Sequence, residues 1–301
     1  MGMETLEFAR FVFVRGAASA VPLVFAASGE LIGERAGLIN IGLEGTMLTG
    51  AFVAAAAAWW TGSAWGGVIA AGAAGAIVGL LMAVWTVAAR RDQIVTGLGI
   101  NLLAVGLTGV AVQRIEHVCA ARAEDFVPQG LAAAAPFDVM MLTALLLVML
   151  IHVMLHYTRP GLTLRAVGEN PHAADAAGVR VGLVRAAAAV FAGAMAGLGG
   201  AYLALGLTTR FQEEMTGGRG FLALALVIVG RWSPPGVLLA ALVFGCLDAL
   251  QQTLQPALGE SVHLMYPALL ALPYVATLVA LAGFAGRAQP PAALAQPFER
   301  E

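Results

Sequence analysis

The sequence predicts an all-α membrane protein of about ten crossings, and three observations carry that expectation. Of 301 residues, 60% are hydrophobic and only 11% are charged, whereas a soluble domain is about a quarter charged. Mean hydropathy is +0.85. Apolar runs of about 20 residues, the length that a hydrocarbon core of roughly 30 Å demands of a helix, recur from one end to the other.

The runs of spanning or near-spanning length are Phe8 to Ser28, Met47 to Trp60, Trp65 to Ala89, Ile94 to Ile115, Phe137 to Tyr157, Ala186 to Leu207, Pro235 to Leu254 and Leu264 to Phe284. The first carries Arg10 and Arg15 near its start, like a signal peptide, but it has no clear small-residue cleavage site and runs on into further apolar sequence. It is expected to be retained as a span. Leu31 to Gly45 and Gly220 to Arg231 are shorter and contain charges or Gly. They are expected to be broken or half-crossing helices, which membranes tolerate only under a cover of protein or beside a water-filled cavity. With one such segment per half, the chain has the form of a possible inverted five-plus-five repeat.

All 16 basic residues are Arg. Cytoplasmic loops carry the excess of positive charge. Ten crossings with the N-terminus inside place Arg10, Arg15, Arg90, Arg91, Arg159, Arg165, Arg180, Arg185, Arg287 and Arg300 in or near the cytoplasm. The outer loops are then acidic, with Glu116, Glu124, Asp125, Glu213, Glu214 and Glu260. Residues 1–286 form one transmembrane domain, and the Pro- and Ala-rich residues 287–301 are expected to be a mobile cytoplasmic tail. Small residues fill the spans, as in Gly193-Ala194-Met195-Ala196-Gly197-Leu198-Gly199-Gly200, and they let helix backbones approach closely.

Two segments point to function. From Gly33 to Gly45, Glu34, Arg35, Asn40 and Glu44 stand between hydrophobic runs. A charge at the bilayer centre costs roughly 2.5–3.5 kcal/mol on the insertion scale, so such groups face protein or a cavity. They either line a translocation path or belong to a solvated outer loop. Asn101, Asp248, Gln251 and Gln252 lie within or near the ends of spans and either bridge helices or face a path, with Asn101, Asp248 and Gln251 taken for the path. In the stretch from Thr158 to Val184, Asn170 suits an N-cap, Pro171 the first helical position and Gly178 the position past the end, which marks a two-turn helix.

Four blocks, Gly33 to Gly45, Asp92 to Asn101, Arg165 to Gly178 and Gly217 to Trp232, together resemble ABC-transporter permeases of the branched-chain amino acid and ribose class. The likeness is strongest to the shorter permease of nucleoside importers and extends from about Ala17 to Phe284. It implies a plasma-membrane import subunit paired with a second homologous permease, a cytoplasmic ATP-binding protein and an extracytoplasmic substrate-binding protein. It also implies that the helix at Asn170 to Ala177 is a coupling helix docking on the ATPase, through Gly168, Glu169, Asn170, Pro171, Ala173, Ala174, Asp175 and Gly178. ATP and Mg would sit on the partner.

Other functions find little support. With no Lys there is no phosphate-gripping P-loop lysine, so the chain is expected not to be an enzyme. His152 and His156 stand four apart, but no nearby carboxylate or Cys completes a metal set, and no metal or other cofactor is expected. Cys119 and Cys246 are read as unpaired, and no nucleic-acid partner is expected. A permease for a simple sugar such as ribose is one alternative. An ion-coupled secondary transporter using Glu34, Glu44 and Asp248 is another.

Overall fold

The computed structural model of the protein describes residues 2–122, 139–257, 271, 274–279, 282–283 and 289–299. Among these residues the regular structure is helical and no strand forms: α1 (Gly2–Arg35), α2 (Leu43–Thr61), α3 (Ala64–Ala83), α4 (Gln93–Arg122), α5 (Val139–Tyr157), α6 (Arg159–Glu169), α7 (Pro171–Ala176), α8 (Val181–Tyr202), α9 (Arg219–Val229) and α10 (Pro234–Ala257). Single π turns extend α3 over Val84–Ala88 and α8 over Leu203–Leu207. Six of the described helices are long and apolar enough to cross a membrane. The expected span from Leu264 to Phe284 and the acidic residues Glu124, Asp125 and Glu260 lie largely outside the described residues.

Local chemistry sets the helix ends. The Ser63 hydroxyl accepts from the Gly66 N–H at 3.4 Å and caps α3, while Gly62 closes α2 in the left-handed region at φ +65°. Thr158 caps α6 by accepting from the Gly161 N–H, with Pro160 in the first turn. Sequence reasoning missed α6 and expected only one short helix between Thr158 and Val184. Leu31 to Gly45 is a break between helices, one of the two expected forms, rather than a separate half-crossing helix. It divides into the last turn of α1, a non-helical stretch over 36–42 and the start of α2. The other short segment does form a short helix, α9, whose eleven residues cover about 16 Å and so reach only partway through a bilayer.

The core is built around α8, which packs against α1, α2 and α3. A methyl added to Gly75 would run into the Gly193 carbonyl, one on Gly193 into the Gly75 carbonyl, and one on Gly197 into the Ala71 carbonyl. On the α1 side, Gly199 of α8 faces the Pro22 carbonyl in the same way. The seam is therefore backbone against backbone. We expect Gly193→Val to lower the detergent melting midpoint sharply, since overpacking a filled core costs about 1–3 kcal/mol and here the neighbour is main chain. Gly106→Val, with nothing within 4 Å of the added carbon, is the control that should melt like wild type.

Helix directions fix which ends share a face. Arg35 ends α1 beside Trp232, donating to its carbonyl at 2.7 and 3.1 Å, whereas Gly16 of α1 packs on Cys246 of α10. Gly16 and Arg35 are separated by nineteen residues, roughly 28 Å along a helix. The N-terminal end of α1 therefore lies on the opposite face from Arg35, α6 and α7. Residues 289–299 lie on the Arg35 face, with Ala295 N–H donating to the Gly37 carbonyl at 3.1 Å and Ala293 N–H to the Gly168 carbonyl at 2.9 Å. The start of α1 and residues 289–299 therefore lie on different faces, and this part of the tail is packed, with Ala293 buried.

Candidate functional site

The stretch over 36–42 is buried non-helical backbone whose polar groups are met by side chains from far away in sequence. Asn101 on α4 accepts from the Gly45 N–H at 2.8 Å and donates to the Ile41 carbonyl at 2.9 Å. Gln93 accepts from the Ile39 N–H at 2.8 Å, and Glu30 accepts from the Asn40 N–H at 2.8 Å. Arg185 of α8 donates to the Ala36 carbonyl at 3.2 Å, placing a cation at the negative end of α1. Glu30 and Glu34, one turn apart on α1, are 0% and 1% exposed, and Glu34 accepts from the Trp232 indole N–H. The break is thus wrapped in protein, which is the condition for irregular backbone at membrane depth.

Glu44, in the first turn of α2, reaches the start of α9. Its Oε1 accepts from the Gly218 N–H at 2.8 Å and its Oε2 from the Gly220 N–H. Gly218 holds φ +84°, and a side chain on Gly220 would meet the Glu44 backbone. A carboxylate on two free N–H groups at a helix start is favourable by hydrogen bonding and by the helix dipole.

A polar cavity of about 470 Å³ lies on the face away from α7, between α1, α5, α8, α9 and α10. Its polar lining includes Ser19, Tyr202, Thr208, Arg219, Asp248 and Gln252. The Arg219 guanidinium lies 3.7 Å from Asp248, which also accepts from Gln252 at 3.0 Å. The π turn of α8 contributes Leu203, Gly206 and Leu207 to the wall, a common position for such turns. The volume falls within the roughly 300–1,000 Å³ of small-molecule sites. The charged, hydroxyl and amide groups can serve both donors and acceptors of a polar solute.

Of the residues considered for a path, Asp248 and Gln252 line this cavity. Glu34 and Asn40 are buried in the packing of the α1–α2 break, Asn101 and Glu44 brace that break and the start of α9, and Gln251 is buried on α10. The cavity residues Arg219, Tyr202 and Ser19 were not singled out from the sequence. Arg219 and Asp248 sit 29 positions apart on different helices, a spacing with no signature in sequence.

The short helix α7 has its expected caps. The Asn170 side chain accepts from the Ala173 N–H at 3.0 Å, Pro171 opens α7, and Gly178 follows its end at φ +88°. Gly168 is pressed against the Arg35 carbonyl, and Glu169 accepts from the Ala292 N–H at 3.3 Å. Ala174 is 5% exposed and packs with Val167 and Val181, with Val179, Val184 and Phe298 against them. Ala173 and Glu169 line an open groove of about 390 Å³ along α6 and α7. His152 and His156 stack with ring centres 4.4 Å apart on α5.

Known proteins place this arrangement. The profile of the family described as "Branched-chain amino acid transport system / permease component" matches residues 12–281. The chain is 35% identical over 303 residues to the guanosine ABC transporter permease protein NupQ of Bacillus subtilis (strain 168), covering 93% of both proteins. It is 32% identical over 290 residues to the nucleoside ABC transporter permease protein NupC of Lactococcus lactis subsp. cremoris (strain MG1363), covering 90% of this chain and 91% of the relative. It is also 31% identical over 323 residues to a putative glucose ABC transporter permease protein of Haloferax volcanii, covering 94% of this chain and 95% of the relative. No solved structure matches.

Proposed function

This chain belongs to the branched-chain amino acid transport system / permease component family, and from that membership we propose that it is the transmembrane permease of an ATP-driven nucleoside importer. The observation that carries the nucleoside reading is the 35% identity to a guanosine permease across 93% of both chains. ATP and Mg act on a separate cytoplasmic ATPase that docks on α6 and α7. A second, homologous permease completes the membrane pore, and an extracytoplasmic binding protein delivers substrate to the face bearing the polar cavity. There Asp248 and Gln252 are suited to ribose-type hydroxyls, and Tyr202 and Arg219 to a polar heterocycle.

Uptake in proteoliposomes holding the full complex tests this, with labelled guanosine, other nucleosides and glucose offered in parallel. Guanosine or a second nucleoside should be taken up only with ATP. Glucose uptake alone would favour the sugar reading that the Haloferax relative supports, and uptake by this chain without ATP would indicate a secondary transporter.

The orientation we propose, in the bacterial inner membrane, is supported by the face that α7 occupies. Arg35, Arg90, Arg91, Arg159, Arg165, Arg180, Arg185 and Arg231 belong to that face, and the positive-inside rule makes it cytoplasmic. The C-terminus is then inside and the N-terminus outside, with an odd number of crossings in place of ten. In a protein whose two cysteines are replaced, Glu7→Cys and Glu213→Cys should react with an impermeant thiol reagent in permeabilised-outer-membrane cells. His172→Cys should react only after lysis. Protection of Glu7→Cys in whole cells would return the N-terminus to the cytoplasm.

A further inference from the structure

One short C-terminal segment joins the cytoplasmic helix to the buried break, and nothing in the transport reading uses it. At one end of the joint, the Phe298 ring lies 5.2 Å from the His172 ring of α7 and packs beside Ala174, Val167 and Val181. Ala292 and Ala293 N–H groups donate to Glu169 and to the Gly168 carbonyl, at the elbow between α6 and α7. At the other end, Ala295 N–H donates to the Gly37 carbonyl at 3.1 Å. The Gln296 carbonyl accepts from Arg185 Nη1 at 2.8 Å, and the same guanidinium holds the Ala36 carbonyl. Glu299 pairs with Arg90, just beyond α3, at 3.4 Å.

The segment is tied at both ends and bent between them. Ala295 holds φ +61°, a conformation sparsely populated by residues other than Gly, so surrounding contacts must fix it. Main-chain bonds and a buried guanidinium cannot stretch as a long surface side chain can. Without this segment, α7 reaches the spans through α6, through residues 178–180 and through the packing of Ala174 on Val181 and Val184 at the start of α8.

We propose that residues 291–299 are a positioning strap, which carries displacement of α7 to the α1–α2 break and so couples ATPase movement to the Glu34–Trp232 side of the permease. This rests on the reading of α7 as the ATPase contact. Phe298 and Arg185 are its positioning residues, one gripping α7 and the other gripping the break. Neither is placed at the cavity or in the groove along α6 and α7.

The test uses the full complex in proteoliposomes with two variants, a stop after Pro290 and Phe298→Ala, and with Phe298→Leu as the conservative rescue. ATPase capture, basal ATP hydrolysis and uptake per ATP hydrolysed are measured together. Capture and basal hydrolysis should stay near wild type, while uptake per ATP falls about tenfold, within the usual span of coupling effects. Phe298→Leu should restore most of it. An unchanged ratio of uptake to hydrolysis in Phe298→Ala, which keeps every main-chain tie, together with an unchanged ratio in the truncation, would overturn the strap. If the truncation fails to assemble, Phe298→Ala alone decides. Loss of ATPase capture in Phe298→Ala would make the segment part of the docking surface, and it would also overturn the positioning role. Normal uptake in Ala174→Pro would instead remove the reading of α7 on which the strap rests, whatever the tail variants do.

Discussion

Ala174→Pro is expected to leave expression and membrane insertion near normal, to weaken capture of the ATPase and to abolish substrate-dependent uptake. Ala174 lies inside α7, and its N–H donates to the Asn170 carbonyl at 3.0 Å. Proline removes that donor and sets its ring against the preceding turn, at a cost of roughly 3 kcal/mol or more. A helix of six residues has no reserve of internal bonds with which to absorb such a loss. The side chain is also buried against Val167 and Val181, so the added ring would push α7 away from α6 and α8. The spans themselves are built on the glycine seam of α8, far from this position, and should still assemble. Co-purification with the ATPase followed by proteoliposome uptake measures both effects. Unchanged capture with unchanged uptake would leave α7 without a part in transport.

Glu44→Leu should insert and assemble but transport poorly. The substitution removes a charge from membrane depth, which favours insertion, but it strips the start of α9 of both its acceptors. Two backbone N–H groups, on Gly218 and Gly220, then lose their partners, at about 1–3 kcal/mol for each that stays buried. The first residue of α9 is the cavity residue Arg219, so displacement of this end would break the contact with Asp248. Glu44→Gln retains one acceptor oxygen and should fall between wild type and Leu in both uptake and detergent melting midpoint. Wild-type uptake by the Leu variant at normal expression would show that α9 is held without this carboxylate.

These two positions show what a linear reading can and cannot reach. The ends of α7 were legible because caps are local: Asn170, Pro171 and Gly178 act on neighbours within a turn or so. The spans were legible because lipid demands length and apolarity of each helix by itself. Glu34 and Arg35 were legible as charges at membrane depth, but not as part of α1, because their partner Trp232 is about 200 positions away. The contacts of the tail were illegible for the same reason. Pro and Ala content says nothing of the Gly37 and Gly168 carbonyls that receive its N–H groups. The cavity was mostly invisible, since Arg219, Tyr202 and Ser19 come from helices that only the fold brings together.

The glycine seam around α8 has a mechanical meaning. Where main chain rests on main chain, no layer of side chains exists that could change rotamers and let one helix slide past another. Shear between helices needs such a layer, because packed interfaces move by small side-chain adjustments. Helices α1, α3 and α8 therefore turn as a single block. The buried face of α5 is of another kind, made of Met140, Met141, Ala144, Val148, Ile151 and Leu155, with two adaptable thioethers near its start. At its far end α5 passes directly into α6, with Gly161 seated against the Met154 carbonyl, so those two helices act as one bent lever. Alternating access would then need only that this lever slip against the block, with its long arm in the bilayer and its short arm at the proposed ATPase contact.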